Sequence, residues 1–200
     1  MTDTASLFAV PIAHRGLHDK SQGRVENCES SFQAAIDAGY AIECDVRLSK
    51  DGPDRIQTLQ ELLNQVDGKV PLIIELKSKW DKDEGLALRV AESIGTYFGP
   101  VATMSFDPVL VAAAQRWLPH LANGIVSEHY RDIEHWKFLS RFERFKLSKL
   151  LHWPWTRPDF ISYNIDDLPH PAVAMFENLM SVPVICWTVR TPQQAAKAQK

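Results

Sequence analysis

The chain has 200 residues, 45% hydrophobic and 24% charged, the make-up of one soluble globular domain over 1–200 and not of a tail or linker. Its formal charge of -3 gives no general attraction to nucleic acid or an anionic membrane, so any phosphate-bearing partner has to be held by a local cluster. Cys28, Cys44 and Cys186 are odd in number and far apart, which argues against a disulfide framework and against a zinc site.

The opening MTDTASLFAVPIAHRG has no basic start, and its short apolar run meets Pro11 and then charge, so no signal peptide is expected. No stretch approaches the ~20 apolar residues of a membrane-spanning helix. A cytoplasmic setting is the expectation. Short runs rich in Val and Ile then alternate with helical periodicity. Strands are expected near 8–15, 41–48, 70–77, 100–106, 122–127, 159–164 and 183–189, with helices at 29–38, 59–66, 86–98, 108–117, 133–151, 171–180 and from Pro192 onward. Repeated βα units of this size suggest an α/β fold, a (β/α)8 TIM barrel, with an open doubly wound sheet as the alternative. No GxGxxG or GxxxxGK(S/T) loop follows a strand, which counts against a nucleotide-binding sheet. A closed barrel needs eight strands, and the eighth is absent from this sequence, which ends within the helix after the seventh.

The second strand, in AIECDVRLSKDG (41–52), carries Glu43 and Asp45 in an otherwise apolar run. Alternate side chains of a strand share a face, so these two acids point one way and Ile42, Cys44 and Val46 the other. In LIIELKS the same alternation groups Ile73, Glu75 and Lys77. Both charged pairs fall near the C-terminal end of a strand, where barrels build their active sites. Three carboxylates converging there lose hydration and repel one another. A bound divalent cation is the simplest compensation, and an all-oxygen set implies a hard one, Mg2+ or Ca2+. The other reading, a structural ion network with Arg15, Arg47 and Lys77, stays open. The first strand ends PIAHRG and delivers His14 and Arg15 to the same rim, with Gly16 able to turn the chain closely around a ligand. His14 is a candidate general acid or base, Arg15 a phosphate clamp, and Lys77 a second positive charge on the same anion. Metal, Arg, Lys and His together suit a phosphate ester.

IAHRG, ENCESSFQAAIDAGY, IECDVRLSKDG, TLQELL and IIELK, in this order, with SFDP at 105–108 and CWTV at 186–189, resemble the glycerophosphodiester phosphodiesterase family, whose members are (β/α)8 barrels. The resemblance implies hydrolysis of small-molecule glycerophosphodiesters to glycerol 3-phosphate and an alcohol. It implies a divalent cation on Glu43, Asp45 and Glu75, His14 as one of two catalytic histidines, and phosphate binding by Arg15 and Lys77. Glu26 and Asn27 match the family's Glu-Asn pair and would shape the substrate site, although a helix N-cap is the ordinary role for such an Asn. Trp187 matches an aromatic near the substrate, and a core indole is its other reading. In the mechanism the resemblance implies, a glycerol hydroxyl attacks phosphorus, water opens the cyclic phosphate, and two histidines exchange acid and base roles.

The sequence departs from the family after SKDG, where a short strand ending in His-Asp is expected. Here Gly52 leads through PDR to IQTLQELL, and the second catalytic histidine has no counterpart. His18-Asp19 has the right letters in the wrong place. A barrel that only binds phosphodiesters, or a related phospholipid head-group phosphodiesterase, therefore stands as an alternative. The stretch 129–158 is basic and aromatic. As one helix it would gather Trp136, Phe138, Leu139, Phe142, Phe145 and Leu150 on a face, suited either to covering the barrel or to contact with a membrane surface.

Overall fold

The computed structural model describes residues 4–48 and 57–199. Seven strands, β1 (Ile12–His14), β2 (Ala41–Val46), β3 (Leu72–Leu76), β4 (Val101–Ser105), β5 (Ala122–Ser127), β6 (Ile161–Asn164) and β7 (Val184–Trp187), pair in chain order and all in parallel. Helix α1 (Thr4–Leu7) precedes them. The strands are followed in turn by α2 (Glu29–Asp37), α3 (Leu59–Val66), α4 (Gly85–Ile94), α5 (Pro108–Trp117), α6 (Arg141–Ser148) with the short α7 (Trp153–Thr156), α8 (Pro171–Met180) and α9 (Pro192–Ala198). An order that never reverses rules out the doubly wound alternative, which needs a switch point.

Side-chain alternation sorts each strand into two layers. Outward residues Ile42, Cys44, Leu72, Ile74 and Leu76 pack against Phe32, Leu63, Val90 and Leu110 of the helices. On the opposite side Ile125, Ile161 and Tyr163 meet Val111, Val173 and Phe176. Inward residues Ala41, Ile73, Ala102, Met104 and Ala122 share one cluster with Ile185 and Trp187 of the last strand. Strands so far apart in the order meet only if the sheet curls on itself. Phe8, just ahead of β1, touches Phe160, just ahead of β6, with ring centroids 4.9 Å apart. The result is a nearly closed barrel of the (β/α)8 type, with β1 and β7 as its edges among the described residues. The lumen is filled. A Cβ on inward-facing Gly124 would lie 2.3 Å from the Phe160 ring, so glycine there lets that ring occupy the interior, a burial worth ~1.5–3 kcal/mol.

Two expected elements differ. The first strand is short because Pro11 has no N–H, and its carbonyl accepts from Ala41 N at 3.0 Å as pairing begins. The expected helix over 133–151 is broken. Ser140 caps α6, its side chain accepting from Glu143 N at 3.2 Å, and Leu150 ends the element at φ 55°. The apolar face is divided accordingly. Trp136, Leu139 and Leu150 are buried, whereas Phe138, Phe142 and Phe145 are exposed. The segment after Gly52, where the family's second histidine would stand, begins outside the described residues. No helix among the described residues is long and apolar enough to cross a membrane.

Candidate metal centre and phosphate site

The register that pairs Asp45 with Glu75 and His14 with Glu43 brings the inward side chains of β1, β2 and β3 to one place at the C-terminal rim. One carboxylate oxygen from each of Glu43, Asp45 and Glu75 lies within 4.8 Å of the others. Glu43 and Glu75 are buried. Glu43 Oε2 accepts from Arg15 N at 2.9 Å, while its Oε1 is buried with no hydrogen-bond partner. Asp45 Oδ2 faces Arg15 Nε at 3.2 Å, and its Oδ1 lies 2.9 Å from Lys77 Nζ. Lys77 Nζ also donates to Glu75 Oε1 at 2.6 Å.

The loop after β1 makes these contacts possible. Arg15 at φ 61° and Gly16 at φ 77° reverse the chain, so that Arg15 N meets Glu43. A Cβ on Gly16 would come within 2.6 Å of Ser31 Oγ, which excludes any larger residue. Asn27, at φ 53°, clamps the end of β2. Its Oδ1 accepts from Asp45 N at 3.0 Å and its Nδ2 donates to Asp45 Oδ2 at 3.3 Å. It is not the helix cap, since Cys28 holds that position in α2. Glu26 Oε2 accepts from Arg15 Nη1 at 3.2 Å from a half-exposed position. The ion pairs of the cluster run to Arg15 and Lys77, and among the described residues none runs to Arg47.

Charge is unbalanced here. Burial, then the charges of Asp45 and Glu75, push the Glu43 carboxyl well above the ordinary carboxylate range. Burial also raises Glu75, against the opposing pull of Lys77. Burial works against the charge on Lys77, but Glu75 and Asp45 outweigh it and raise its pKa. Burial, then the nearby Arg15 charge, lowers His14 to about 4, so its imidazole is neutral near pH 7. His14 Nε2 lies 3.8 Å from Glu43 Oε2, too far for a hydrogen bond. With His14 neutral, four carboxylates (Glu26, Glu43, Asp45, Glu75) face two cations (Arg15, Lys77). That deficit, the unmet Glu43 oxygen and an all-oxygen donor set fit a hard divalent cation.

Trp187 faces the same mouth from β7. Its Nε1 donates to Ser162 O at 3.3 Å and its ring meets Phe106 edge-on at 5.5 Å. His18 is exposed, and Asp19 caps a short turn by accepting from Ser21 N at 2.9 Å, so that pair stands apart from the cluster. Sequence reasoning passed over Glu128, just beyond β5. Its carboxylate accepts from Trp136 Nε1 at 2.5 Å and from Asn164 Nδ2 at 3.3 Å. The signal was present, because Glu128 continues the inward alternation of Ala122, Gly124 and Val126.

Comparison with known proteins bears on residues 14–53, which match the model of the glycerophosphoryl diester phosphodiesterase family. That span includes His14, Arg15, Glu26, Asn27, Glu43 and Asp45. No curated protein matches the chain by sequence. Among solved structures, a phosphodiesterase from Oleispira antarctica, in complex with the product sn-glycerol-3-phosphate, superposes with a TM-score of 0.70 at 18% identity, covering 96% of this chain and 90% of that one. A glycerophosphoryl diester phosphodiesterase from Silicibacter pomeroyi gives 0.70 at 16% identity, over 94% and 86%. A glycerophosphodiester phosphodiesterase from Parabacteroides distasonis gives 0.68 at 19%, over 94% and 87%. At such identities the likeness is one of fold. The chain is thus similar to the glycerophosphodiester phosphodiesterase family in sequence pattern over residues 14–53 and in fold over nearly its whole length.

Proposed function

We propose that this protein is a metal-dependent phosphodiesterase that hydrolyses glycerophosphodiesters to glycerol 3-phosphate and an alcohol. The observation that carries this reading is the convergence of Glu43, Asp45 and Glu75 within 4.8 Å, with a buried Glu43 oxygen left without a partner. These three residues hold Mg2+ or Ca2+, which when bound supplies positive charge to the phosphoryl oxygens. Arg15 and Lys77 bind the same phosphate, the planar guanidinium suiting two of its oxygens at once. Asn27 holds the end of β2 so that Asp45 keeps its aim, and Glu26 holds Arg15.

His14 is the general base. Its pKa of about 4 leaves Nε2 free to take the proton of an attacking hydroxyl near pH 7. Trp187 closes the far side of the mouth and limits which alcohol fits. The unpaired, reduced cysteines suit a cytoplasmic setting, and the whole chain acts as a single domain. A second reading, a barrel that binds phosphodiesters without cleaving them, is favoured by one observation, the lack of any histidine between Arg47 and Gln57.

The test is release of glycerol 3-phosphate from glycerophosphoethanolamine by the full chain with Mg2+ or Ca2+. Turnover that EDTA abolishes is expected. Saturable substrate binding with no turnover under either metal would replace the first reading by the second.

A further inference from the structure

Away from the metal centre, basic side chains gather behind the ends of β5 and β6, where α6 finishes and α8 begins. His129 stands one residue past Glu128, but its ring lies against outward-facing Tyr163 and against His170, with centroids 6.5 and 5.1 Å away. His170 stacks on Tyr163 at 5.2 Å. Lys149, at the end of α6, places Nζ 3.1 Å from His170 Nε2. Arg131 joins the group through Asp167, its Nη1 3.2 Å from Oδ1.

The tautomer of His170 follows from its neighbour. An ammonium can only donate, so Nε2 accepts from Lys149 and the ring proton sits on Nδ1. Burial, then the charges of Lys149 and His129, lower the His170 pKa to about 4, so near pH 7 the ring is neutral and carries that one proton. Its Nδ1 is buried and meets no acceptor among the described residues, in a side chain only 2% exposed. A buried donor left unmet calls for an acceptor.

Two further features make that acceptor an anion. His170 is the N-cap of the ten-residue α8 and makes no side-chain hydrogen bond to it among the described residues. Pro171 has no N–H, and those of Ala172 and Val173 have no partner within the helix. The positive end of the helix dipole therefore lies at His170. Charge points the same way. Lys149 forms no ion pair among the described residues, and the acid of the group, Asp167, is already shared by His129 N at 2.7 Å, His129 Nδ1 at 3.1 Å and Arg131. The adjacent acids are engaged elsewhere, Asp166 by Gln194 Nε2 at 2.8 Å and Glu128 by Trp136 and Asn164. A water molecule would satisfy Nδ1 and leave the surplus positive charge, whereas an oxyanion answers both. Side-chain exposures of 26% at His129 and 72% at Arg131 leave the group open to solvent on one side.

We propose that this cluster is a second anion site, which takes a phosphate dianion, inorganic or as a monoester, on His170 Nδ1, Lys149 and the first N–H groups of α8, with Arg131 at its open side. It is separate from the phosphate site over Glu43, Asp45 and Glu75 and does not depend on the hydrolase reading. A diester fits it less well, since it has a single negative charge and two free oxygens where a monoester has nearly two charges and three oxygens.

The test is nitrogen NMR of the histidine imidazoles on the full chain in EDTA at constant ionic strength, with His170→Gln and His14→Gln to assign the two signals that matter. Before any ligand is added, His170 is expected as the Nδ1–H tautomer; the Nε2–H tautomer would remove the unmet donor and the site with it. Inorganic phosphate and glycerol 3-phosphate are then titrated separately. Saturable movement of the His170 signal is expected, and the tighter of the two ligands tells whether free phosphate or an organic monoester is the better occupant. Glycerophosphoethanolamine is expected to bind about tenfold more weakly. Lys149→Met should weaken the phosphate response about tenfold or more. Arg131→Gln, at an exposed position where the fold is not at stake, should weaken it about threefold, and it decides alone if Lys149→Met does not fold. His14 reports separately on the site over the three carboxylates. Movement of His14 alone, a His170 response that the folded variants leave unchanged, or equal binding of the diester overturns the proposal.

Discussion

The two walls of the barrel mouth use one device and treat charge in opposite ways. Each places inward side chains at or just past the C-terminal end of parallel strands. On the wall of β1 to β3 those side chains are His14, Glu43, Asp45, Glu75 and Lys77, and one Glu43 oxygen is buried without a donor. On the wall of β4 to β7 they are Phe106, Glu128, Asn164 and Trp187, and Glu128 receives hydrogen bonds from both Trp136 and Asn164. A carboxylate given two donors is a finished structural part. Three carboxylates gathered within 4.8 Å of one another, with one Glu43 oxygen still lacking a donor, form a site shaped for a cation.

The largest effect that tests this contrast is on metal binding. Glu75→Gln keeps the shape of β3 and removes one of the three acids. Divalent-ion binding is expected to vanish by calorimetry and turnover to fall by about 10³-fold; unchanged affinity would refute the ligand assignment. Next comes Lys77→Met. With its contacts to Glu75 and Asp45 gone, kcat/KM is expected to drop about 10²-fold. The same variant should bind the divalent cation at least as tightly as wild type, because a competing cation has left; weaker binding would mean that Lys77 orders the ligands instead. Protons compete for the same oxygens. Glu43 and Glu75 titrate above the ordinary carboxylate range in the metal-free protein, so the metal Kd is expected to rise at least tenfold between about pH 7 and pH 5. A Kd flat over that range would show that neither acid is a ligand.

The charged wall was legible in the sequence, whereas of the aromatic wall only Trp187 was singled out, and that by resemblance. Glu43, Asp45 and Glu75 stand out because a carboxylate inside an apolar strand violates its surroundings, and the period of two assigns all three inward. The parallel barrel followed from seven βα units for the same local reasons. Phe106 and Trp136 gave no such signal, since an aromatic ring fits a core as well as a mouth. What joins them is tertiary: Phe106 lies past the end of β4 and Trp136 in a turn after β5. The broken helix over 133–151 was missed because its periodicity continues across Ser140, where the capping box with Glu143 overrides it. Asn27 was assigned to the substrate site by resemblance, with a helix cap as its other reading, and only the fold shows its amide against Asp45.

Glu128→Gln sharpens the contrast from the satisfied side. The amide keeps one acceptor for Trp136 Nε1 and loses the charge that strengthens both hydrogen bonds, a cost of about 1–2 kcal/mol. For a chain of this size that lowers Tm by about 2–8 °C. Metal affinity is expected to stay within twofold of wild type. A large loss of metal binding would place Glu128 with the other three acids and erase the distinction between the walls.

The smallest effect is the most direct test of strain at the charged wall. Burial and the neighbouring acids raise Glu43 above its unfolded value of about 4.5. A group shifted this way favours folding below the unfolded pKa, and that contribution is lost as pH rises through the folded one. At pH 8 without metal, well above the unfolded value, Glu43 therefore destabilises the fold, and Glu43→Gln is expected to raise Tm by about 2–4 °C, or about 1 kcal/mol. Near pH 4.5, where wild-type Glu43 already carries its proton, the gain is expected to disappear. Added Mg2+ should raise the Tm of wild type and leave that of the variant unchanged. A gain of equal size at both pH values would trace the effect to packing around residue 43, and the mouth would then have no unpaid charge for a cation to neutralise.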